Sequence, residues 1–429
     1  MPIKKINIMK VSITKIVLMV FILSNTIANA QNKILFDATK AEMAGNADWI
    51  VDADAHNIYF NSTTHLPYAS TGSSGDSNPQ RIPTPAQSGI TTLTTEDYWQ
   101  GAISYWAVDC AKKGYTVETL PFNGLITYGN STNPQDLSNY KAFIVTEPNM
   151  LFSATEKTAI INFVANGGGL FMIADHDISD RNNDGYDSPH IWNDLMGNNS
   201  VVQDPFGISF DYVDISGTYT NVANLPTDPI LHGVAGNVTK VQWSGGTTMT
   251  LNTTSNPSVK GVAYKTGAST TGFLNVLCAY ATYGSGKVAA VGDSSIADDG
   301  TGDTGDTLYD GYITDAAGNH QKLLMNITIW LMTSNLSLPG NEWDATNFVV
   351  APNPTNSKQI QVSFSLDDVQ NTSITIYDSI GRKVKEVNLN DVNAGINYKT
   401  IDASNLETGL YICKLSNATS TKSLQIILH

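Results

Sequence analysis

The chain has 429 residues, with 24 lysines and arginines against 39 aspartates and glutamates and a formal charge of −15. That length exceeds one ordinary core, and that charge repels phosphate backbones and anionic lipid, which excludes nucleic acid and membrane surfaces as natural partners. Cys110, Cys278 and Cys413 are an odd number in apolar contexts, without disulfide or metal-ligand spacing, and read as small buried hydrophobes.

Lys4, Lys5, Lys10 and Lys15 surround the start of a short apolar run over 16–23, and Ala28-Asn29-Ala30 offers small residues before Gln31. Residues 1–30 therefore read as a secretory signal peptide, too short in its apolar part to serve as a spanning helix. No membrane insertion is expected after cleavage. Its loss removes four lysines and no acid, so the exported chain is more acidic still.

Residues 33–39 predict a buried strand with Asp37 at its carboxyl end. Residues 40–95, rich in Ser, Thr, Asn, Gly and Pro, predict a long surface insertion over the strand ends; Asp52, Asp54, His56 and His65 lie in it. A helix is expected to begin at Thr95-Glu96-Asp97 and to run to Gly114, with Tyr98, Ile103, Trp106, Ala107 and Cys110 on one side. Strands are expected over 115–120 and 141–146, the second ending at Glu147-Pro148-Asn149. Ser153 with Glu156 three residues on has capping-box spacing and opens a helix that stops at Asn166-Gly167. The strand 170–174 follows. Strand, helix, strand, strand, helix, strand is the pattern of an α/β domain with a flavodoxin-like parallel sheet.

Residues 200–282 read as β-rich insertions. Gly284-Ser285-Gly286-Lys287 is not a phosphate loop, because Ala281 stands at the first glycine position and Val288 at the hydroxyl position; it predicts a tight turn. The strand 287–291 delivers Gly292-Asp293-Ser294-Ser295. An acidic loop with Asp298, Asp299, Asp303, Asp306 and Asp310 leads to a last helix over 316–333. Residues 335–346, with Pro339-Gly340, read as a linker closing a domain of residues 31–334. Residues 347–429 then predict six evenly spaced strands, a small all-β sandwich.

The chemistry concentrates in Gly167 to Asp187. In an open α/β sheet ligands bind beyond the carboxyl ends of strands, which makes Asp175 and His176 candidates there, joined by Asp293, Glu147 and Asp37 from neighbouring strand ends. Carboxylates beside an imidazole can do general acid/base work or hold a metal; aspartate after a strand is also a common cap or turn former. Asp180, Asn182, Asp184 and Gly185 match the first half of an oxygen-ligand calcium loop, with Tyr186 and Asp187 following. Ile191 occupies the position of the expected acidic residue, so a full EF-hand is excluded and Asp187 or Asp194 would have to substitute. A structural Ca2+ is one reading, and an Asx-turn loop held by its own backbone is the other. His190 and Trp192 next to the loop suit a sugar ring, or Trp192 packs beneath the loop.

Two resemblances add to this. Ala351-Pro352-Asn353-Pro354, Ile376-Tyr377-Asp378 with Gly381-Arg382-Lys383-Val384, and Leu406-Glu407-Thr408-Gly409-Leu410-Tyr411 make the last module similar to the sorting domain of the type IX secretion system of Bacteroidota. The resemblance implies export by that machinery, followed by release or surface attachment. The stretch 33–37, the run Tyr140-Lys141-Ala142-Phe143-Ile144-Val145, Phe152 to Asp175 with three glycines, Asp228-Pro229-Ile230-Leu231-His232-Gly233 and Gly284 to Val288 make the first domain similar to the class I glutamine amidotransferase-like superfamily. Where true amidotransferases carry a cysteine this chain reads Ala174-Asp175-His176, so it is not a glutamine amidotransferase. The expectation is an exported hydrolase-like protein acting on an extracellular polymer such as glycan. The alternative is a non-catalytic binding or scaffold domain.

Overall fold

The computed structural model of the chain describes residues 32–44, 47–52, 58–69, 86–301, 311–313, 316–333, 348–355, 359–366, 370–378, 381–417 and 421–429. The expected signal peptide, the linker at 335–346, and Asp54, His56, Asp303, Asp306 and Asp310 lie outside the described residues. The chain divides into two compact units, Met1–Asn335 and Leu336–His429.

The first unit is organised by one mixed sheet. The main path through it, in chain order, is β1 (Lys33–Asp37), β2 (Thr116–Leu120), β3 (Ala142–Thr146), β4 (Gly169–Ile173), β5 (Asn221–Val222), β6 (Lys260–Tyr264), β7 (Val276–Tyr283) and β8 (Gly286–Val291), and Met249–Leu251 with Ile208–Phe210 branches from β7. Their spatial order is β5-β6-β7-β8-β4-β3-β1-β2. The pairs β8–β4, β4–β3, β3–β1 and β1–β2 are parallel, whereas β5 to β8 pair antiparallel. Every residue of β3, β4 and β8 is buried, which is why these segments read as continuous apolar runs rather than alternating ones. The parallel half carries Asp37, Glu147, Asp175 and Asp293 at or just past four carboxyl ends.

Few helices accompany the sheet: α1 (Ser104–Lys112), α2 (Ala154–Ala165), α3 (Ser188–Gly197) and α4 (His320–Met332). Trp106 of α1 is fully buried, edge-on to Phe36 at 5.2 Å and to Phe171 at 5.6 Å. Its Nε1 donates to Thr328 Oγ1 on α4 at 3.1 Å, so the indole loses no hydrogen bond on burial. Helix α2 starts with the expected capping box: Ser153 Oγ accepts from the Glu156 amide at 3.3 Å, and Glu156 Oε2 accepts from the Ser153 amide at 2.7 Å. The turn between β7 and β8 is tight because Gly286 leaves no room for a side chain; an added Cβ would stand 1.9 Å from the Val164 carbonyl oxygen.

Two expectations are corrected here, and of the two readings of Trp192 the packed one holds. The helix expected from Thr95 to Gly114 is broken into a 3-10 turn, Glu96–Tyr98, and α1. Gly101 and Ala102 between them have φ of +106° and +48°, incompatible with a continuous right-handed helix. Helix α3 was not anticipated, although Asp187 caps it by accepting from the His190 amide and Pro189 stands in its first turn. Because of that helix Trp192 is fully buried with Nε1 donating to the Ile173 carbonyl at 3.1 Å, and it cannot stack on a sugar.

The second unit is all-β, in two sheets. Val349–Ala351, Gln359–Leu366 and Gly395–Asp402 form one; Lys383–Val392, Gln370–Asp378, Gly409–Ser416 and Thr421–Leu428 form the other. Inward residues such as Ile360, Val362, Phe364, Ile374, Ile376, Cys413, Leu415 and Ile426 make its separate core, as period-two alternation requires.

Candidate functional site

The strand ends bring Glu147, Asp175 and His176 together, and a residue the sequence reading passed over holds them. Arg181 Nη2 lies 3.0 Å from Asp175 Oδ2, and its Nε and Nη2 are each 3.1 Å from Glu147 Oε1. The other oxygen of Asp175 meets His176 Nδ1 at 3.1 Å. The order Glu147, Arg181, Asp175, His176 is thus one continuous chain of charge-assisted contacts. Arg181 is one of three arginines in the whole chain and sits amid Asp177, Asp180, Asp184 and Asp187. That isolation was the available signal for it.

The members differ in what can reach them. Glu147 is fully buried; its Oε2 accepts from Trp49 Nε1 at 3.0 Å and from Ser294 Oγ at 2.6 Å. Its backbone sits at φ +49°, a strained conformation for a side chain of this size. Burial, followed by the charge of Asp175, holds its carboxyl well above the usual range despite Arg181. Asp293 is also fully buried, and accepts from the amides of Ser244 and Ser295 at 2.5 and 2.8 Å. Burial and the charge of Asp175 push its carboxyl well up too. His176 is open to solvent, with its side chain 22% exposed against 5% for Asp175, and so is Arg181. The hydrogen bond to Asp175 raises its pKa, against the lowering effect of burial.

The strand pair Ile215–Tyr219 and Val241–Gly246 passes over this edge, and a Cβ added to Gly245 would lie 3.4 Å from His176 Nδ1 and 3.9 Å from Asp214 Oδ1. Ile178, Tyr212 and Val213 are exposed along residues that neighbour His176 in sequence or in backbone pairing; the Asp177 amide donates to the Val213 carbonyl at 3.1 Å.

Asp37 does not join the Arg181 chain. It faces Glu42, and both carboxyls are buried with one oxygen each, Asp37 Oδ2 and Glu42 Oε1, lacking a donor. The two side chains interact directly, and at that burial each carboxyl disfavours the charge of the other. Burial lifts Asp37 to about 6 even though Glu42, Lys40 and Thr39 pull it down, and burial with the Asp37 charge raises Glu42 well above its usual value. The physical reason is local: between Asp37 and Glu42 the backbone turns through Ala41 at φ +54°, so that Asp37 meets Glu42 instead of the next strand end.

The segment expected to hold Ca2+ closes on itself. Asp180 accepts from the amides of Asp184 and Gly185 at 3.2 and 2.8 Å, Asn182 Oδ1 accepts from the Asp184 amide at 3.3 Å, and Asp184 Oδ1 accepts from the Tyr186 amide at 3.0 Å. These are the bonds of an Asx-turn loop. Of the expected ligands only Asp187 belongs to a metal-ligating cluster of His, Cys, Asp or Glu among the described residues, and its companions are Asp177 and His190. The three cysteines are free and buried.

Residues 349–429 match the Secretion system C-terminal sorting domain family. The chain is therefore a type IX secreted protein, exported to the cell surface or extracellular space, and its second unit is what the secretion machinery engages. No described helix is long and apolar enough to cross a membrane. No curated protein matches the chain. Among solved structures it is similar to the mmIFT52 N-terminal domain, with 13% identity over 71% of this chain and 100% of that one at a TM-score of 0.40. It is also similar to a DUF3244 family protein with an immunoglobulin-like β-sandwich fold from Bacteroides vulgatus, with 17% identity over 19% of this chain and 97% of that one at a TM-score of 0.15.

Proposed function

We propose that the first unit is a class I glutamine amidotransferase-like domain on a flavodoxin-like sheet that lacks the nucleophilic cysteine, and that it works outside the cell as a hydrolase on a polymer such as glycan. The observation that carries this reading is the contact of Asp175 Oδ1 with His176 Nδ1 at 3.1 Å, on an imidazole that solvent reaches. With Nδ1 engaged, Nε2 is the nitrogen left to take a proton from water as the water oxygen bonds to the scissile centre and the bond to the leaving oxygen breaks, and the imidazolium then gives the proton to that oxygen. Asp175 orients the ring and stabilises the imidazolium that forms, and Arg181 holds the far oxygen of Asp175 in place. Glu147 and Asp293, enclosed and fully bonded, position the strand ends and do not touch substrate. The exposed rings of Tyr186 and of Tyr212, whose other face stacks on His190, are of the kind that stack on sugar rings.

The test is hydrolysis of a panel of extracellular polysaccharides by the full chain and by His176→Ala and Asp175→Asn. The expected result is release of reducing ends by the wild type and a loss of about 100-fold or more in both variants with unchanged circular dichroism. Equal rates in all three, or none in the wild type, overturn the hydrolase. In the second case retention on a glycan column that both variants preserve would favour the scaffold reading, which the full enclosure of Glu147 and Asp293 supports.

A further inference from the structure

We infer that Asp177, Asp187 and His190 form a divalent transition-metal site of the zinc class. One ligand atom from each lies within 4.8 Å of the other two, close enough for a single ion to touch all three with little movement. The donor set of one imidazole nitrogen and two carboxylate oxygens suits zinc, and three protein ligands leave a fourth position for water; calcium would need six or more oxygens and no nitrogen.

Each ligand is already oriented by something other than the ion. Asp187 Oδ2 accepts from the Ile178 amide at 2.7 Å and Oδ1 from the His190 amide at 3.1 Å, which leaves lone pairs on both oxygens and fixes the carboxylate plane. Ligating carboxylates characteristically carry such outer hydrogen bonds. The His190 ring is stacked on Tyr212 at 4.1 Å and 21°. The backbone of Asp177 is tied to Val213. His190 Nδ1 stands 2.7 Å from Asp187 Oδ1, so a proton bridges the two in the metal-free chain, and the ion replaces that proton. Two carboxylates balance the charge of a divalent ion. The site is half-open, since Asp177 and His190 are partly exposed while Asp187 is buried.

The site stands apart from the hydrolase reading, because its test reads binding. Isothermal titration of the full chain with Zn2+, after dialysis against chelator, should give one ion per chain. His190→Ala and Asp177→Asn should each weaken binding at least about tenfold, Asp184→Asn should not change it, and Ca2+ in excess should not compete. Asp177 is partly exposed and caps no helix, so its variant reports on the site even where His190→Ala disturbs α3. Failure of the wild type to bind Zn2+, or binding by both ligand variants as in the wild type, overturns the site and leaves Asp187 and His190 as a hydrogen-bonded pair alone.

Discussion

Nη2 of Arg181 stands 3.0 Å from Oδ2 of Asp175, and the same nitrogen stands 3.1 Å from Oε1 of Glu147, so one guanidinium joins two carboxylates that follow different strands. Both acids sit at the carboxyl edge of neighbouring parallel strands, where they would repel one another without it. Burial lowers the Arg181 pKa less than Glu147 and Asp175 raise it, and the net shift is upward.

Replacing Arg181 with Met should therefore destabilise the first unit by about 1–3 kcal/mol, below the range for a fully buried pair because the arginine side chain is 26% exposed. Adding Glu147→Gln should recover part of that loss, since the uncompensated carboxylate is then gone. Urea unfolding of the two single variants and the double variant measures the coupling; strict additivity would mean that the contact contributes nothing.

The Asp37–Glu42 pair should make stability fall as pH rises. Both groups bind protons more tightly in the folded chain than in the unfolded one, so the folded state is favoured most below the ordinary carboxylate range near 4. That advantage is lost as pH climbs through about 6, the folded value of Asp37. The expected change is on the order of 1–3 kcal/mol. Asp37→Asn should flatten the denaturation midpoint between pH 4 and pH 7 relative to the wild type, and a variant with the same slope would show that the proton resides elsewhere.

Asn149 ties three segments: its Nδ2 donates to the carbonyls of Ala41, Met43 and Glu147 at 3.0, 3.2 and 3.0 Å, and its Oδ1 accepts from the Arg181 amide at 3.1 Å. Asn149→Ala strands buried polar groups and should cost about 2–3 kcal/mol. Native-state hydrogen exchange should show faster exchange at the Arg181 amide in this variant. Protection equal to the wild type would count against the role assigned to the side chain.

Gly286→Ala should be among the most damaging single changes in the first unit. Its Cβ would meet the Val164 carbonyl oxygen at 1.9 Å and that of Gly168 at 2.4 Å, all backbone, so relief requires moving α2 or the β7–β8 turn. A cost of about 3 kcal/mol or more is expected. Thermal melts against Gly381→Ala, which meets nothing within 4 Å but carries φ +80° in the second unit, separate collision from backbone strain.

Local periodicity and capping chemistry made most elements legible before any coordinates: the strands at β1 to β4 and β8, the capping box at Ser153, the turn at Gly284 to Gly286, and every main strand of the second unit. These depend on residues a few positions apart, as does the expectation that Asp175 and His176 leave the end of β4. Contacts between distant segments decided the rest. The left-handed backbone at Gly101 and Ala102 cut one helix short, the turn through Ala41 gave Asp37 to Glu42, and α3 turned its own Trp192 into the core. Whether an acidic residue ends as a turn former, the neighbour of another buried acid or a partner of Arg181 depends on which groups the folded chain brings beside it. Those groups range from the next residue, as for Asp175 and His176, to one 147 positions away, as for Glu147 and Ser294, and no spacing along the chain encodes which of them arrive.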